Sequence, residues 1–336
     1  MNILVTGATG FIGSNLTKEL ITRGYKVHIL SRDPGKSSMF DPQSSVFFNG
    51  DITDKQSLVE AMKGCEGVFH LAAYAKVWSK DKNMYNTQNV LGTQNVFEAA
   101  KVASIKKILV VSTAGVFGPS GDHPVDETTI RKKPYFTQYE KTKSLADKVS
   151  GEYVNKGISV ITVFPTRVFG PGPLNESNSA TKLIHQYSVG KWRILPGNGN
   201  KIGNYVYIDN LISGMINAFE KGRSGEGYLL GGSDISYLDF FKTISDITGK
   251  KYFMIRIPLF LALAISSVFS FFARITGIPP LITPGWIKKY LHDWSVSSAK
   301  AMYELGYNPG SFREEVAKTL EWFDSNQSPK WKNSIR

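Results

Sequence analysis

Residues 1–13 constrain this chain more than any other stretch. The apolar run Ile3-Leu4-Val5 passes straight into Thr6-Gly7-Ala8-Thr9-Gly10-Phe11-Ile12-Gly13, which reads as a strand, a tight turn and the start of a helix. Glycines at 7, 10 and 13 allow a sharp turn, let backbone N–H groups approach a pyrophosphate, and let the helix pack closely on its strand. The phosphates then sit on the helix N-terminus. Three spaced glycines alone are weak evidence. Here they follow a strand and open a helix that runs to about Arg23 and stops at Gly24 before the apolar run Tyr25 to Leu30, so the context of a dinucleotide-binding turn is met.

The rest of the chain keeps that rhythm. Apolar runs at Val27 to Leu30, Val46 to Phe48, Gly67 to Ala72, Ile108 to Val111 and Ser159 to Val163 alternate with helical stretches at Lys55 to Met62, Val90 to Val102 and Gln138 to Tyr153. This predicts an α/β fold, a Rossmann-type doubly wound parallel sheet. After Pro165 the run Thr166 to Pro173 is loop-forming and should leave the sheet. At 336 residues the chain suits a nucleotide-binding unit with a smaller lobe. The expected division is 1–165 with returning segments near 204–233, against a mostly helical C-terminal substrate lobe of 166–203 and 234–336, closed by the amphipathic stretch Arg313 to Phe323.

Composition bounds the partners. Cys65 is the only cysteine, so no intrachain disulfide or cysteine-built metal site is possible, and no metal is expected. The N-terminus enters the first strand without a charged leader and apolar segment, which points to the reducing cytoplasm. The formal charge of +12 comes from scattered lysines and arginines rather than a basic run, so nucleic acid is not expected.

Ser31-Arg32-Asp33-Pro34 follows the second strand. A carboxylate there accepts from the ribose 2′-OH of NAD, whereas an arginine accommodates a 2′-phosphate. Arg32 therefore favours NADP(H) over NAD, with Asp33 before Pro34 read as a turn residue. The chemistry is expected in Thr113, at the end of a strand, and in Tyr139 and Lys143, one helical turn apart and so on one face. An unperturbed phenol near 10 is a poor acid–base catalyst at neutral pH, and a neighbouring ammonium is expected to lower it. Thr113 would then donate to the substrate oxygen.

These motifs together resemble the extended short-chain dehydrogenase/reductase family, the NAD-dependent epimerase/dehydratase superfamily. The likeness extends through His70-Leu71-Ala72-Ala73, Asn89-Val90-Leu91-Gly92-Thr93, Tyr205-Val206-Tyr207-Ile208-Asp209 and Ala299 to Tyr307. It implies a Ser/Thr-Tyr-Lys triad of Thr113, Tyr139 and Lys143. It also implies a cofactor site of Gly7, Thr9, Gly10, Phe11, Ile12, Arg32, Asp51, Ile52, Leu71, Ala72, Ala73, Asn89, Val111, Tyr139, Lys143, Pro165 and Arg167. Asp51-Ile52 takes the place of an adenine-contacting pair, Asn89 is structural or tethers a water, and His70 is read as a packed strand residue. Tyr135 has no lysine at the right offset.

The triad does not choose the reaction. Sugar-nucleotide members carry an arginine at the strand end and an asparagine before Tyr-Gly-Pro, whereas Phe164 and Arg167 stand in those places here. Phe164 to Pro171 instead resembles the dihydroflavonol reductase and 3β-hydroxysteroid dehydrogenase branch, which implies a bulky hydrophobic alcohol or ketone. Arg167, Lys182, Lys191 and Arg193 leave an anionic substrate open. A nucleotide-sugar epimerase or dehydratase is thus the alternative, and a non-catalytic NADP(H)-binding sensor or scaffold a second. Residues 257–273 form an apolar stretch at the lower edge of the roughly 17–25 residues that span a bilayer. It reads as a buried lobe helix or pocket wall, or as a helix in peripheral contact with membrane; a homodimer is also open.

Overall fold

The computed structural model describes residues 1–174, 178–280 and 282–325. Strands β1 (Asn2–Thr6), β2 (Lys26–Ser31), β3 (Ser45–Asn49), β4 (Gly67–His70), β5 (Lys107–Val111) and β6 (Ser159–Pro165) are joined by helices α1 (Phe11–Thr22), α2 (Lys55–Met62), α3 (Asn83–Asn86), α4 (Gly92–Val102) and α5 (Gln138–Val154). Beyond them lie β7 (Arg167–Phe169), α6 (Ser179–Ser188), β8 (Ile194–Pro196), β9 (Ile202–Tyr207), α7 (Ile208–Lys221), β10 (Gly227–Leu230), β11 (Ser233–Ser236) and α8 (Tyr237–Thr248). The chain continues with β12 (Ile255–Ile257), α9 (Leu259–Thr276), α10 (Pro284–Lys289), α11 (Ala299–Leu305) and α12 (Phe312–Ser325).

Among the described residues, the main sheet has 7 strands in the order β10-β6-β5-β4-β1-β2-β3. Its pairings are all parallel. The strand order reverses between β1 and β4, and in open α/β sheets ligands bind at the carboxyl ends of the strands at such a point. Alternate residues serve two cores, because both faces of such a sheet are covered. Ile3, Val5, Ile29, Phe69, Leu109 and Ile161 face one way, and α1 and α7 pack together on that side. Leu4, Leu30, Val68, Ile108, Val110 and Val160 face the other, where α2, α4 and α5 lie side by side.

The lobe is less purely helical than the sequence suggests. A small sheet of order β11-β9-β7 and a β12-β8 pair lie outside the parallel sheet. Of the segment expected to return near 204–233, β10 adds an edge strand and α7 covers a face, whereas β9 pairs with β7 and β11. Residues 326–336 of the expected lobe lie outside the described residues.

The glycine turn carries the tightest packing that positions the site. Gly7 has φ +76°, and a Cβ there would come within 2.7 Å of the Ala72 nitrogen. A Cβ at Gly13 would come within 2.1 Å of the Gly7 carbonyl oxygen, so α1 leans directly on the turn. Gly151, exposed on α5, has nothing within 4 Å. We therefore expect Gly13→Ala to lower stability by about 1–3 kcal/mol through backbone displacement. Gly151→Ala should raise it by about 0.5–1 kcal/mol through helix propensity. Denaturant midpoints of the two variants against the parent provide the check.

Candidate active site

The first turn of α1 is an uncapped cradle. The first N–H groups of any helix lack intrahelical partners. Here the N-cap is Gly10, which makes no side-chain hydrogen bond to them, and no acidic residue occupies the first turn. The turn is closed by Gly10 N–H donating to the Gly7 carbonyl at 3.0 Å. Thr6 and the continuation of β4 wall the other side: Leu71 N–H donates to Thr6 O at 3.1 Å, and Ala72 N–H to Thr6 Oγ1 at 3.3 Å. A bare helix N-terminus beside a glycine that no Cβ could replace fits a dinucleotide pyrophosphate. Phe11 itself is buried beneath a Gly172 that leaves room for its ring, so only its backbone can serve the cradle.

The candidate catalytic group lies along the same carboxyl edge. Thr113 follows the end of β5 and accepts a hydrogen bond from Gly115 N–H at 3.2 Å, which leaves its hydroxyl proton available to a substrate oxygen. Tyr139 and Lys143 sit one turn apart on α5, as their spacing predicts. Thr137 caps that helix by accepting from Glu140 N–H at 3.2 Å. Lys143 is only 1% exposed, and burial lowers its pKa against the opposing pull of Asp147. Contrary to the sequence expectation, the Tyr139 phenol is raised rather than lowered. Burial contributes most, then the Asp147 and Glu140 carboxylates.

Several residues that sequence reasoning missed hold this group in place. Asp147 extends the spacing of four by one more turn beyond Lys143 and accepts from Ser112 Oγ at 2.7 Å. Its Oδ1 is buried without a hydrogen-bond partner. Burial pushes its carboxyl up to about 6, opposed by Lys143 and by Ser112. Glu140, 1% exposed, receives Arg131 at 3.2 Å and Lys289 of α10 at 2.7 Å, together with Phe136 N–H at 3.1 Å. Arg131 also donates to Gly115 O, just after Thr113. The sequence signals were the Thr137-x-x-Glu140 capping pattern and the continued four-residue spacing; the Arg131 and Lys289 pairings had none.

Other expected site residues are placed as follows. Arg32 is exposed at the end of β2, its Nε 3.5 Å from Asp51 Oδ2. Asp51 Oδ1 is occupied by Thr53 N–H and Oγ1 at 2.8 and 2.9 Å, and Ile52 is buried beneath Gly92. Asp33 caps the short turn that follows β2, accepting from Gly35 N–H at 3.0 Å. Val111 and Pro165 close β5 and β6, Thr9 and Ile12 belong to the turn and first turn of α1 that follow β1, and Ala73 to the segment that follows β4.

Two residues expected in the cofactor site, Asn89 and Arg167, are engaged with protein groups. Asn89 is 1% exposed and its amide is spent on protein: Oδ1 accepts from Tyr74 N–H at 2.6 Å, and Nδ2 donates to Tyr74 O at 3.3 Å and to Thr142 Oγ1 at 2.9 Å. It ties the loop after β4 to α5 beside Lys143. Arg167 turns into the lobe, its guanidinium 5.5 Å from the Tyr205 ring and 5.4 Å from the Tyr237 ring, against a Gly203 that leaves it space. His70 is buried between Thr6 and Thr93 hydroxyls, at 2.8 and 3.0 Å, and burial and Lys143 lower it to about 3.

Asp147 yields a pH prediction. Its folded pKa lies above its ordinary value near 3.8, so its stabilising contribution is complete below that value and is lost as pH rises through about 6. The stability of the parent relative to Asp147→Asn should therefore fall between about pH 4 and 6 and level off above about 7. Denaturant midpoints of both proteins across that range check the sign; a constant difference would contradict it.

Known proteins resemble this chain in sequence and in fold. The family model described as the NAD dependent epimerase/dehydratase family matches residues 3–231. Dihydroflavonol 4-reductase of Gerbera hybrida is 30% identical over 282 residues, 76% of this chain and 75% of that protein. The decarboxylating sterol-4-alpha-carboxylate 3-dehydrogenase of Mus musculus is 27% identical over 95% of this chain and 90% of its own. The crystal structure of a UDP-glucose 4-epimerase from Thermotoga maritima superposes with a TM-score of 0.81 at 24% identity, covering 98% of this chain and 100% of that one, a likeness of fold. A family match across the whole stretch from the cradle to β10, with Thr113, Tyr139 and Lys143 inside it, makes this chain a member of the NAD dependent epimerase/dehydratase family of extended short-chain dehydrogenase/reductases.

Proposed function

We propose that this protein is an NADP(H)-dependent oxidoreductase that moves a hydride to or from a ketone or secondary alcohol of a bulky hydrophobic substrate. The observation that carries this reading is that α5, which bears Tyr139 and buried Lys143, is fastened at Asp147 to Ser112, the residue before Thr113 at the end of β5, while the Lys143 ammonium acts on buried His70 at the end of β4. The nicotinamide cofactor, when bound, supplies the hydride. In the reductive direction Tyr139 gives its proton to the carbonyl oxygen, and a phenol raised by burial is fully protonated at neutral pH for that task. Thr113 Oγ1 donates to the same oxygen, and Lys143 steadies the phenolate that forms while holding the ribose. Phe164 and the relatives named for dihydroflavonol and sterol chemistry support an apolar substrate. Exposed Arg32 at the end of β2 supports the 2′-phosphate.

A nucleotide-sugar epimerase or dehydratase is the second reading. It is favoured by Arg167, whose Nη1 is buried without a hydrogen-bond partner and would suit an anionic group. Such an enzyme recycles its cofactor, so net NADPH consumption with hydrophobic ketones separates the two.

Three variants test the assignment. General acid help is worth about 10²–10⁴ in rate, so Tyr139→Phe should lose most of kcat with little change in NADPH affinity, whereas Lys143→Met should harm both. Undiminished turnover by Tyr139→Phe would remove the acid from the scheme. Arg32→Ala should weaken NADPH and leave NADH unchanged, measured as Kd for each; equal parent affinities for the two cofactors would end the case for NADP(H).

A further inference from the structure

Helix α9 is built the wrong way round for a water-soluble surface. A helix on a globular protein turns its apolar stripe inward, yet α9 buries only Ser266 and Ala273 and presents Phe260, Ile265, Val268, Phe271, Phe272 and Ile275 to the outside. Phe260 is 76% and Ile275 65% exposed. Successive positions of this set fall on one broad arc at helical spacing, and no charged residue lies between Leu259 and Ala273. Soluble monomers rarely leave an apolar patch of that extent uncovered.

We propose that α9 docks this protein onto an anionic lipid bilayer, lying in the plane of the surface with its outer arc among the acyl chains. Length alone would let α9 cross a membrane, but its two ends are fastened to one folded body. Pro258 follows β12, which pairs with β8. After Gly277 the chain enters α10, whose Ile287 is buried and whose Lys289 binds Glu140. A helix held at both ends on the same side can lie in an interface and cannot thread it. Charge selects lipid over a second copy of the chain. Residues 247–292 contain no aspartate or glutamate, while the same stretch carries exposed Lys251, Arg256, Arg274 and Lys288. Two copies meeting through this face would set like charges against each other, whereas an anionic leaflet attracts them.

A cleft lies against the side of α9 that faces the protein. A cavity of about 610 Å³ has Ser270 and Arg274 of α9 on one wall and Thr137 and Gln138 at the start of α5 on another, one residue from Tyr139. Trp78 and Tyr85 complete an aromatic side. A lipid-dissolved substrate would pass from the bilayer along α9 towards the catalytic helix; this delivery rests on the hydrophobic-substrate reading, and the docking does not.

The test is flotation of the full chain with phosphatidylcholine vesicles, alone or with about one-third phosphatidylglycerol. The expected result is recovery with the anionic vesicles, loss in high salt, and at least about tenfold less recovery for the double variant Val268→Asp, Phe272→Asp. Both positions are more than half exposed, so thermal midpoint and NADPH affinity should be unchanged in the variant. A parent that stays at the bottom of the gradient overturns the proposal, as does a variant that floats equally well. A parent that sediments as a dimer and a variant that is monomeric, with neither binding lipid, would assign the face to a second copy and overturn it too. No substrate enters this readout, so failure of the hydride-transfer reading would leave it standing, and the reverse.

Discussion

The structure depends on one helix face that must bury charge. Tyr139, Lys143 and Asp147 follow one another at intervals of four along α5, with the lysine almost fully enclosed. A buried ammonium is costly unless a carboxylate lies near enough to answer it, and the Asp147 carboxylate acts on Lys143 in that way. Asp147 answers it incompletely: one oxygen takes the Ser112 hydroxyl and the other is left without a hydrogen bond. The fold therefore keeps a reserve of unsatisfied polarity at the strand ends, as sites built for function commonly do.

Everything around that face restrains it. Asn89 lies within a π-helical turn at Thr87–Leu91, an irregularity that often marks a functional position. From there it joins the loop after β4 to Thr142 beside the lysine. Glu140 gathers Arg131 and Lys289 into one buried cluster, so the turn after Thr113, the start of α5 and the lobe helix α10 share a single electrostatic anchor. The glycine turn fixes the other side of the crevice by contact distance alone. A site assembled this way is preorganised: the donors stand at their stations through packing that exists before any ligand arrives.

What could be read from the sequence follows from the range of the interactions involved. The parallel strands and their helices were legible because each is a local pattern with a fixed period, and the Tyr139–Lys143 pair because one helical turn sets it. The same local rule missed β8 and β12, three residues each, which exist only because Ile194 and Ile255 meet across a long stretch of chain. The surroundings of Arg167 were not legible because Tyr205 and Tyr237 come from two later elements. The direction of the Tyr139 shift was misjudged for a related reason. Sequence spacing reveals the lysine beside the phenol but not the burial and the two carboxylates that outweigh it.

Helices α9 and α12 show how the same kind of residue acquires opposite meanings. In α12 the buried positions Phe312, Val316, Leu320 and Phe323 recur at helical spacing and close the lobe over α6 and α8. In α9 equally apolar residues face outward, while the inward line is supplied by the small side chains Ser266 and Ala273. Small residues let the helix seat closely on the lobe without burying its large ones, so the hydrophobic surface is held out by design of the contact side. Because α9 packs on α10, and α10 reaches α5 through Lys289 and Glu140, the apolar face and Tyr139 are joined by one continuous path of contacts. A surface that engaged α9 would thereby fix the orientation of the crevice relative to that surface, which is the geometric condition for passing an insoluble molecule from one to the other.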